Sequence, residues 1–292
     1  MTRQTVEALR MNRYAAESDL VIFSDGPKNE SSELEVTRVR EYVLSITGFR
    51  SVSVIESRVN KGLARSIIEG TQAVLKDHET VIVLEDDMIT SPYFLKFMNE
   101  GLAMYENDER VVSIHGYVYP IRKKLPQSFF LRGADCWGWA TWRRGWALFE
   151  PDGARLLSEL ERRQLTREFD FNGSYPFTQM LRDQIVGLND SWAIRWQASA
   201  FLKDRLTLYP GRSFVRNIGF DSSGTHSGVT DVYEAGLQSE DIPLQRIGIK
   251  EHAEARKDFE TYFQSIRPSL FARIKQRLSS GRLLTRMKKF RD

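Results

Sequence analysis

The stretch Val81-Ile82-Val83-Leu84-Glu85-Asp86-Asp87 sets four apolar residues directly against three carboxylates. The apolar run, rich in β-branched residues, reads as a strand buried on both faces, the pattern of a parallel sheet. Three carboxylates at the end of such a strand are costly to desolvate without a counter-charge. A hard divalent cation, Mn²⁺ or Mg²⁺, supplies that charge and accepts oxygen ligands. It can also bridge a diphosphate and stabilise a departing nucleotide. A solvated turn whose acids cap the next helix accounts for the same spacing.

Moving outward, the flanking segments alternate in period. Asp19 to Ser24 and Ser51 to Glu56 read as strands, and Val111 to Ile114 as another. Helical patterns fall at Thr5 to Ala16, Ser32 to Ser45, Gly62 to Leu75 and Pro92 to Tyr105. Strand, helix, strand with short connections predicts an α/β fold with a mostly parallel central sheet flanked by helices. Right-handed crossovers then place the strand C-termini on one edge, where ligands of such sheets bind. After Pro120 the alternation stops. Ser128 to Leu131 and Leu206 to Tyr209 read as strands, and Gly153 to Arg167 and Pro176 to Leu188 as helices. Trp192 to Leu202 fits helix or extended chain.

Composition narrows the class. The 292 residues are 41% hydrophobic and 28% charged, enough to bury a sizeable core. One cysteine, Cys136, excludes a disulfide framework and makes a reducing cytoplasm the expected compartment. No run reaches the roughly 18 apolar residues of a membrane span. The net charge is +3, but residues 267–292 carry +8, which leaves −5 for the rest. An acidic body argues against nucleic acid as a partner. In the basic tail Leu270, Phe271, Ile274, Leu278, Leu283, Leu284 and Met287 interleave with the cations. That pattern fits an amphipathic helix on an anionic membrane surface, or a solvated or partner-facing helix.

Several residues outside the acidic run can carry chemistry. Asp190, in Asn189-Asp190-Ser191-Trp192, sits between aromatic-bearing segments. Apolar walls would raise its pKa toward that of a general base; a helix cap is the plainer role. His226 lies in a glycine-flanked stretch and can ligate Mn²⁺, though lone loop histidines are commonly surface residues. Trp137-Gly138-Trp139 offers aromatic faces for sugar C–H surfaces and a glycine for close backbone approach, or else forms a packed core corner. Asp25, in Ser24-Asp25-Gly26, can accept a bond from a base ring N–H or simply serve the turn.

Taken in order, Ser24-Asp25-Gly26 after a strand, Asn60-Lys61-Gly62-Leu63-Ala64-Arg65 opening a helix, and the Glu85-Asp86-Asp87 context resemble the GT-A fold glycosyltransferases. The likeness is to bacterial sugar transferases of surface-polysaccharide clusters and, more distantly, to the N-acetylglucosaminyltransferase I family. It covers roughly residues 3 to 228. The resemblance implies that Asp25 contacts the nucleotide base, with Lys61 and Arg65 on the donor side. It implies that Asp87 binds the metal, with Glu85 and Asp86 toward ribose and donor sugar. Asp190 is implied as the base, Trp137, Gly138 and Trp139 as a donor or acceptor loop, and His226 as a late metal ligand. The expected donor is a nucleotide-sugar, UDP-linked by preference, and the acceptor a glycan or lipid-linked saccharide. The expected domain spans residues 1–230, with a nucleotide-sugar half to about 120 and an acceptor half after it. A C-terminal extension follows over 231–292. The location expected is cytoplasmic or peripheral on the inner face of the plasma membrane. The family opens with a strand ending in Arg-Pro that helps hold the nucleotide. Here only the helix after it is present, from near Thr2-Arg3, so the first strand is expected to be missing. A sugar-1-phosphate nucleotidyltransferase and a non-catalytic membrane-docking scaffold are the competing readings.

Overall fold

A computed structural model describes residues 1–220 and 232–267. The first half alternates as the apolar periodicity predicts. Helix α1 (Thr2–Arg10) leads to β1 (Asp19–Ser24), α2 (Glu33–Leu44), β2 (Ser51–Glu56), α3 (Leu63–Asp77) and β3 (Thr80–Val83). Then follow β4 (Met88–Thr90), α4 (Phe94–Met104), β5 (Val111–His115), β6 (Ser128–Arg132) and β7 (Trp139–Trp142). Short helices α5 (Arg143–Trp146), α6 (Gly153–Arg162), α7 (Thr166–Phe169) and α8 (Phe177–Ile185) precede α9 (Trp192–Leu202). The described chain closes with β8 (Leu206–Pro210), β9 (Val215–Asn217) and α10 (Ala253–Ser265).

The protein is α/β, but its main sheet is mixed rather than mostly parallel. Five strands run in the order β3-β7-β5-β8-β6. Only β5 and β8 are parallel neighbours; β3 with β7, β5 with β7, and β6 with β8 are antiparallel. The departure comes from β6, at the edge, and from β7. The sequence of β7, Trp139-Ala140-Thr141-Trp142, reads as an aromatic loop, yet it inserts between β3 and β5 and reverses direction there. Strands β1 and β2 form a separate parallel pair, and β4 pairs antiparallel with β9.

The core is concentrated around β5 and β8, both buried along their whole length. One face carries Phe94, Phe97 and Met98 of α4 with Ile114 and Leu208. The other carries four tryptophans, with Trp139 5.5 Å from Trp146, 5.4 Å from Trp192 and 6.0 Å from Trp196 between ring centroids. Segment 192–202 resolves as a helix that is nearly all buried, started by Ser191, whose hydroxyl accepts from the Ile194 N–H. A helix buried all round has no polar face and hence no clear period in its sequence.

The expected boundary near residue 230 does not separate packing units. Ala255, Phe259 and Phe263 of α10 share one cluster with Val118, Phe129, Leu131, Phe171 and Tyr209. No helix among the described residues is long and apolar enough to cross a membrane. The basic tail from 268 onward lies outside the described residues.

Candidate functional site

Strand β3 delivers its acidic sequel to a junction of three elements. Below the loop 85–87, β4 turns back and pairs with β9 (Met88 with Asn217, Thr90 with Val215). The Ile218 N–H donates to the Asp87 carbonyl at 2.8 Å, which fixes the chain after β9 against the loop. From the other side α1 contributes Thr2, whose hydroxyl donates to Asp86 Oδ2 at 2.9 Å, and Thr5, whose hydroxyl donates to the Asp86 carbonyl at 2.8 Å.

The three carboxylates have different surroundings. Asp86 is exposed and held by Thr2. Glu85 is half-buried; desolvation, with Asp87 and Asp86 nearby, pushes its pKa up to about 7 against a hydrogen bond from the Trp192 indole. Asp87 is also raised, chiefly by burial and then by Asp86, while Asn217 partly holds it down. Its Oδ1 is a buried acceptor without a hydrogen-bond partner among the described residues. Its Oδ2 lies where a Cβ on Gly219 would come within 2.5 Å, so a side chain at 219 would push this carboxylate aside. Among the described residues no Lys or Arg forms an ion pair with Glu85, Asp86 or Asp87, and none contributes to the shifts of Glu85 and Asp87.

A buried, unpaired carboxylate oxygen beside two further acids is an incomplete electrostatic arrangement. A divalent cation fits it. No cluster of three His, Cys, Asp or Glu that could hold a metal occurs among the described residues. Protein ligation would therefore rest on one or two carboxylates, the mode that leaves positions for phosphate oxygens and water.

The remaining predicted residues divide. Asp25 follows β1 and turns its carboxylate inward. It accepts from the backbone N–H of Gly26 (2.9 Å), Lys61 (2.8 Å) and Gly62 (2.9 Å), so that it ties down the turn leading into α3. Lys61 and Arg65 both reach Glu69, at 2.8 and 2.6 Å, rather than an open donor pocket. Trp139 is fully buried in the tryptophan cluster and offers no face to a ligand; the expectation that it stacks on sugar is corrected by its place in β7. Gly138 adopts φ +63°, and a Cβ there would fall 2.6 Å from Val215 Cγ2, so its role is close packing between β7 and β9. Trp137 alone of the three keeps a partly open ring, edge-on to Tyr117 (4.7 Å), Phe220 (5.5 Å) and Tyr233 (5.6 Å).

Asp190 is not enclosed by apolar walls. Its side chain is 73% exposed and lies 3.5 Å from Arg195 Nη2. The cap of α9 is its neighbour Ser191. Asp190 nevertheless stands two residues from Trp192, whose indole meets Glu85, so the loop borders the acidic cluster. His226 lies outside the described residues.

One carboxylate went unnoticed in the sequence. Asp135 sits at the end of the segment after β6, with Tyr209 Oη 3.4 Å and His115 Nε2 3.5 Å from its Oδ2. The Cys136 thiol is pushed well above its ordinary pKa by desolvation and by Asp135, Glu85 and Asp87, so all three acids act on one sulfur. His115 and Tyr209 come from β5 and β8, about 20 and 74 positions away in the chain, and only the sheet brings them together. Asp135 directly preceding Cys136-Trp137-Gly138 was the one local cue.

Comparison with protein-family models and with curated proteins finds no match to this chain.

Proposed function

We propose that the protein is a metal-dependent glycosyltransferase of GT-A type, taking a sugar from a nucleotide-sugar, UDP-linked by preference, to a glycan or lipid-linked hydroxyl. The observation that carries this reading is the buried Oδ1 of Asp87, which has no hydrogen-bond partner among the described residues, within a carboxylate cluster that no described lysine or arginine neutralises. A divalent ion held there would offset charge on the leaving diphosphate. Asp87 is its protein ligand, steadied by Asn217 and by the chain at Gly219. Glu85, held by Trp192, and Asp86, held by Thr2, adjoin it in the same loop as further acceptors for sugar or ribose hydroxyls. Trp137, with its aromatic neighbours, supplies an apolar wall for a sugar ring.

The acceptor proton needs a base. Asp190, exposed and two residues from the Trp192 that meets Glu85, can receive it from an incoming hydroxyl, which fits a single in-line displacement with inversion. Asp135 is a second candidate because it is partly buried two residues before Trp137 and acts on the same Cys136 thiol as Glu85 and Asp87.

Calorimetric titration of UDP in the presence of Mn²⁺ tests the core of the reading. The expected result is saturable, Mn²⁺-dependent binding that Asp87→Asn lowers at least about tenfold while leaving the melting temperature intact. Asp87→Asn binding as well as wild type would overturn the metal assignment. Pyrophosphate release from a sugar-1-phosphate and a nucleoside triphosphate would favour a nucleotidyltransferase instead.

A further inference from the structure

The Asp135 carboxylate has acceptor capacity to spare. A carboxylate can accept about four hydrogen bonds. Asp135 has one of ordinary length, from the Cys136 N–H to Oδ1 at 2.8 Å. Tyr209 Oη and His115 Nε2 stand 3.4 and 3.5 Å from Oδ2, both long for a hydrogen bond. Tyr209 and His115 are buried, whereas the Asp135 side chain keeps 22% of its surface open. Neither ring nitrogen of His115 has a hydrogen-bond partner among the described residues. Among the same residues no Lys or Arg forms an ion pair with Asp135; its one such contact is His115, which burial holds toward the neutral form.

Aromatic residues with polar tips stand around this acid. Trp137, two positions on, is partly buried and meets Tyr117 edge-on at 4.7 Å. Tyr119 meets Tyr117 edge-on in turn, at 5.2 Å. The phenols of Tyr119 and Tyr175 both feel the Asp135 charge, and both residues are partly open. No Lys or Arg contributes to the shifts of Tyr119, Tyr175 or Tyr209. One acid, several hydroxyl-tipped rings and no cation suit a neutral polyol with an apolar face, which is a pyranose, better than an anion.

The chain after β9 ties this set to the acidic loop. Gly219 lies against the Asp87 carboxylate, and the next residue, Phe220, meets the Trp137 ring at 5.5 Å. On another flank Gly138 lies against Leu84, the residue before Glu85. A sugar esterified to a diphosphate on an Asp87-bound cation would therefore begin beside the segment 135–138.

We propose that Asp135 reads the hydroxyls of the donor's sugar ring: its carboxylate accepts from one or two of them, Trp137 and Tyr119 flank the ring, and His115 is a positioning residue that steadies Oδ2 from the buried side. The inference rests on the transferase reading and adds to it the group that selects the sugar. It leaves the acceptor proton to Asp190. Epimers that differ at one hydroxyl then differ in whether they offer Asp135 a donor, and the mismatched epimer leaves the carboxylate against C–H.

Calorimetry on the full chain with Mn²⁺ compares UDP with UDP-glucose, UDP-galactose, UDP-N-acetylglucosamine and UDP-N-acetylgalactosamine. In the wild type the tightest of the four UDP-sugars is expected to exceed the weakest by about tenfold or more. Asp135→Asn keeps the shape of the side chain but loses its charge and one acceptor oxygen. In that variant the spread should fall to about threefold or less, with UDP within about twofold of its wild-type affinity. Equal spreads in the two proteins, or no spread in the wild type, would overturn the proposal while UDP binding upholds the transferase reading. No UDP binding by the wild type would overturn that reading, and this inference with it. Imidazole ¹⁵N NMR of the wild type with Mg²⁺ does not depend on how Asp135→Asn folds. The His115 signals, identified by their loss in His115→Phe, should move with the preferred UDP-sugar and stay in place with UDP. Signals that respond equally to both, or to neither, would overturn the assignment.

Discussion

Two carboxylates compete for the role of base, and their surroundings predict different failures. Asp190 stands in solvent beside Arg195, with little fold resting on it. Asp135 faces His115 and Tyr209 and is partly buried. If Asp190 takes the acceptor proton, Asp190→Asn lowers kcat by about 10²-fold or more with KM for the donor nearly unchanged, as steady-state transfer assays would show. Asp135→Asn then mainly shifts donor affinity; the reverse pattern would move the base to Asp135. His115 makes a pH prediction. Its imidazole is fully buried, and desolvation lowers its pKa below the ordinary histidine value against the opposing pull of Asp135. The unfolded chain therefore binds the proton more readily. The stability held by neutral His115 is present above about pH 6.5 and is lost as pH falls through that value toward the folded pKa. Thermal melts should show this fall between pH 7 and 5.5, and His115→Phe should flatten it. The acidic run was legible at this scale because its meaning is local: an apolar strand ends and acids begin. Asp135 was not, because its partners arrive from β5 and β8.

Among the elements, β7 shows how the sheet departs from expectation. Trp139 is a core residue with three tryptophan neighbours, whereas Trp137, two positions earlier, is only partly buried. Trp139→Ala should cost about 3–5 kcal/mol in chemical denaturation. Trp137→Ala should cost only about 1–2 kcal/mol yet weaken nucleotide-sugar binding. The same element explains which parts of the fold could be read from sequence. Strands β1 and β2 and helices α2 and α3 fall within a residue or two of their apolar patterns, since each shows a period over its own length. Strands β4, β7 and β9 have three or four residues, too few for a period to emerge, and they exist through partners distant in sequence: β7 meets β3, some sixty residues earlier. Helix α10 was passed over because its sequence, Ala253-Glu-Ala-Arg-Lys-Asp-Phe-Glu-Thr-Tyr-Phe-Gln-Ser265, mixes charges with few apolar residues, and its burial depends on the aromatic floor made by β6 and β8.

Across the whole molecule, order is unevenly distributed. The β5–β8 region is closed by helices on both faces, and α10 completes it by setting Phe259 edge-on to Phe129 and Tyr209 and stacked on Phe171. Phe259→Ala should therefore lower global stability by about 3–5 kcal/mol, measured by urea unfolding, despite its position outside the expected catalytic domain. The β1–β2 pair rests on less, since two strands alone are marginal in water. The acidic cluster lies where these two regimes meet, one flank on the firm sheet and the other on α1. The hydrogen bond from Trp192 to Glu85 links that cluster to a nest of four indoles. Whatever alters the charge or position of Glu85 changes the electric field at a chromophore, so the molecule carries its own optical gauge of site occupancy, readable in ultraviolet emission without any label.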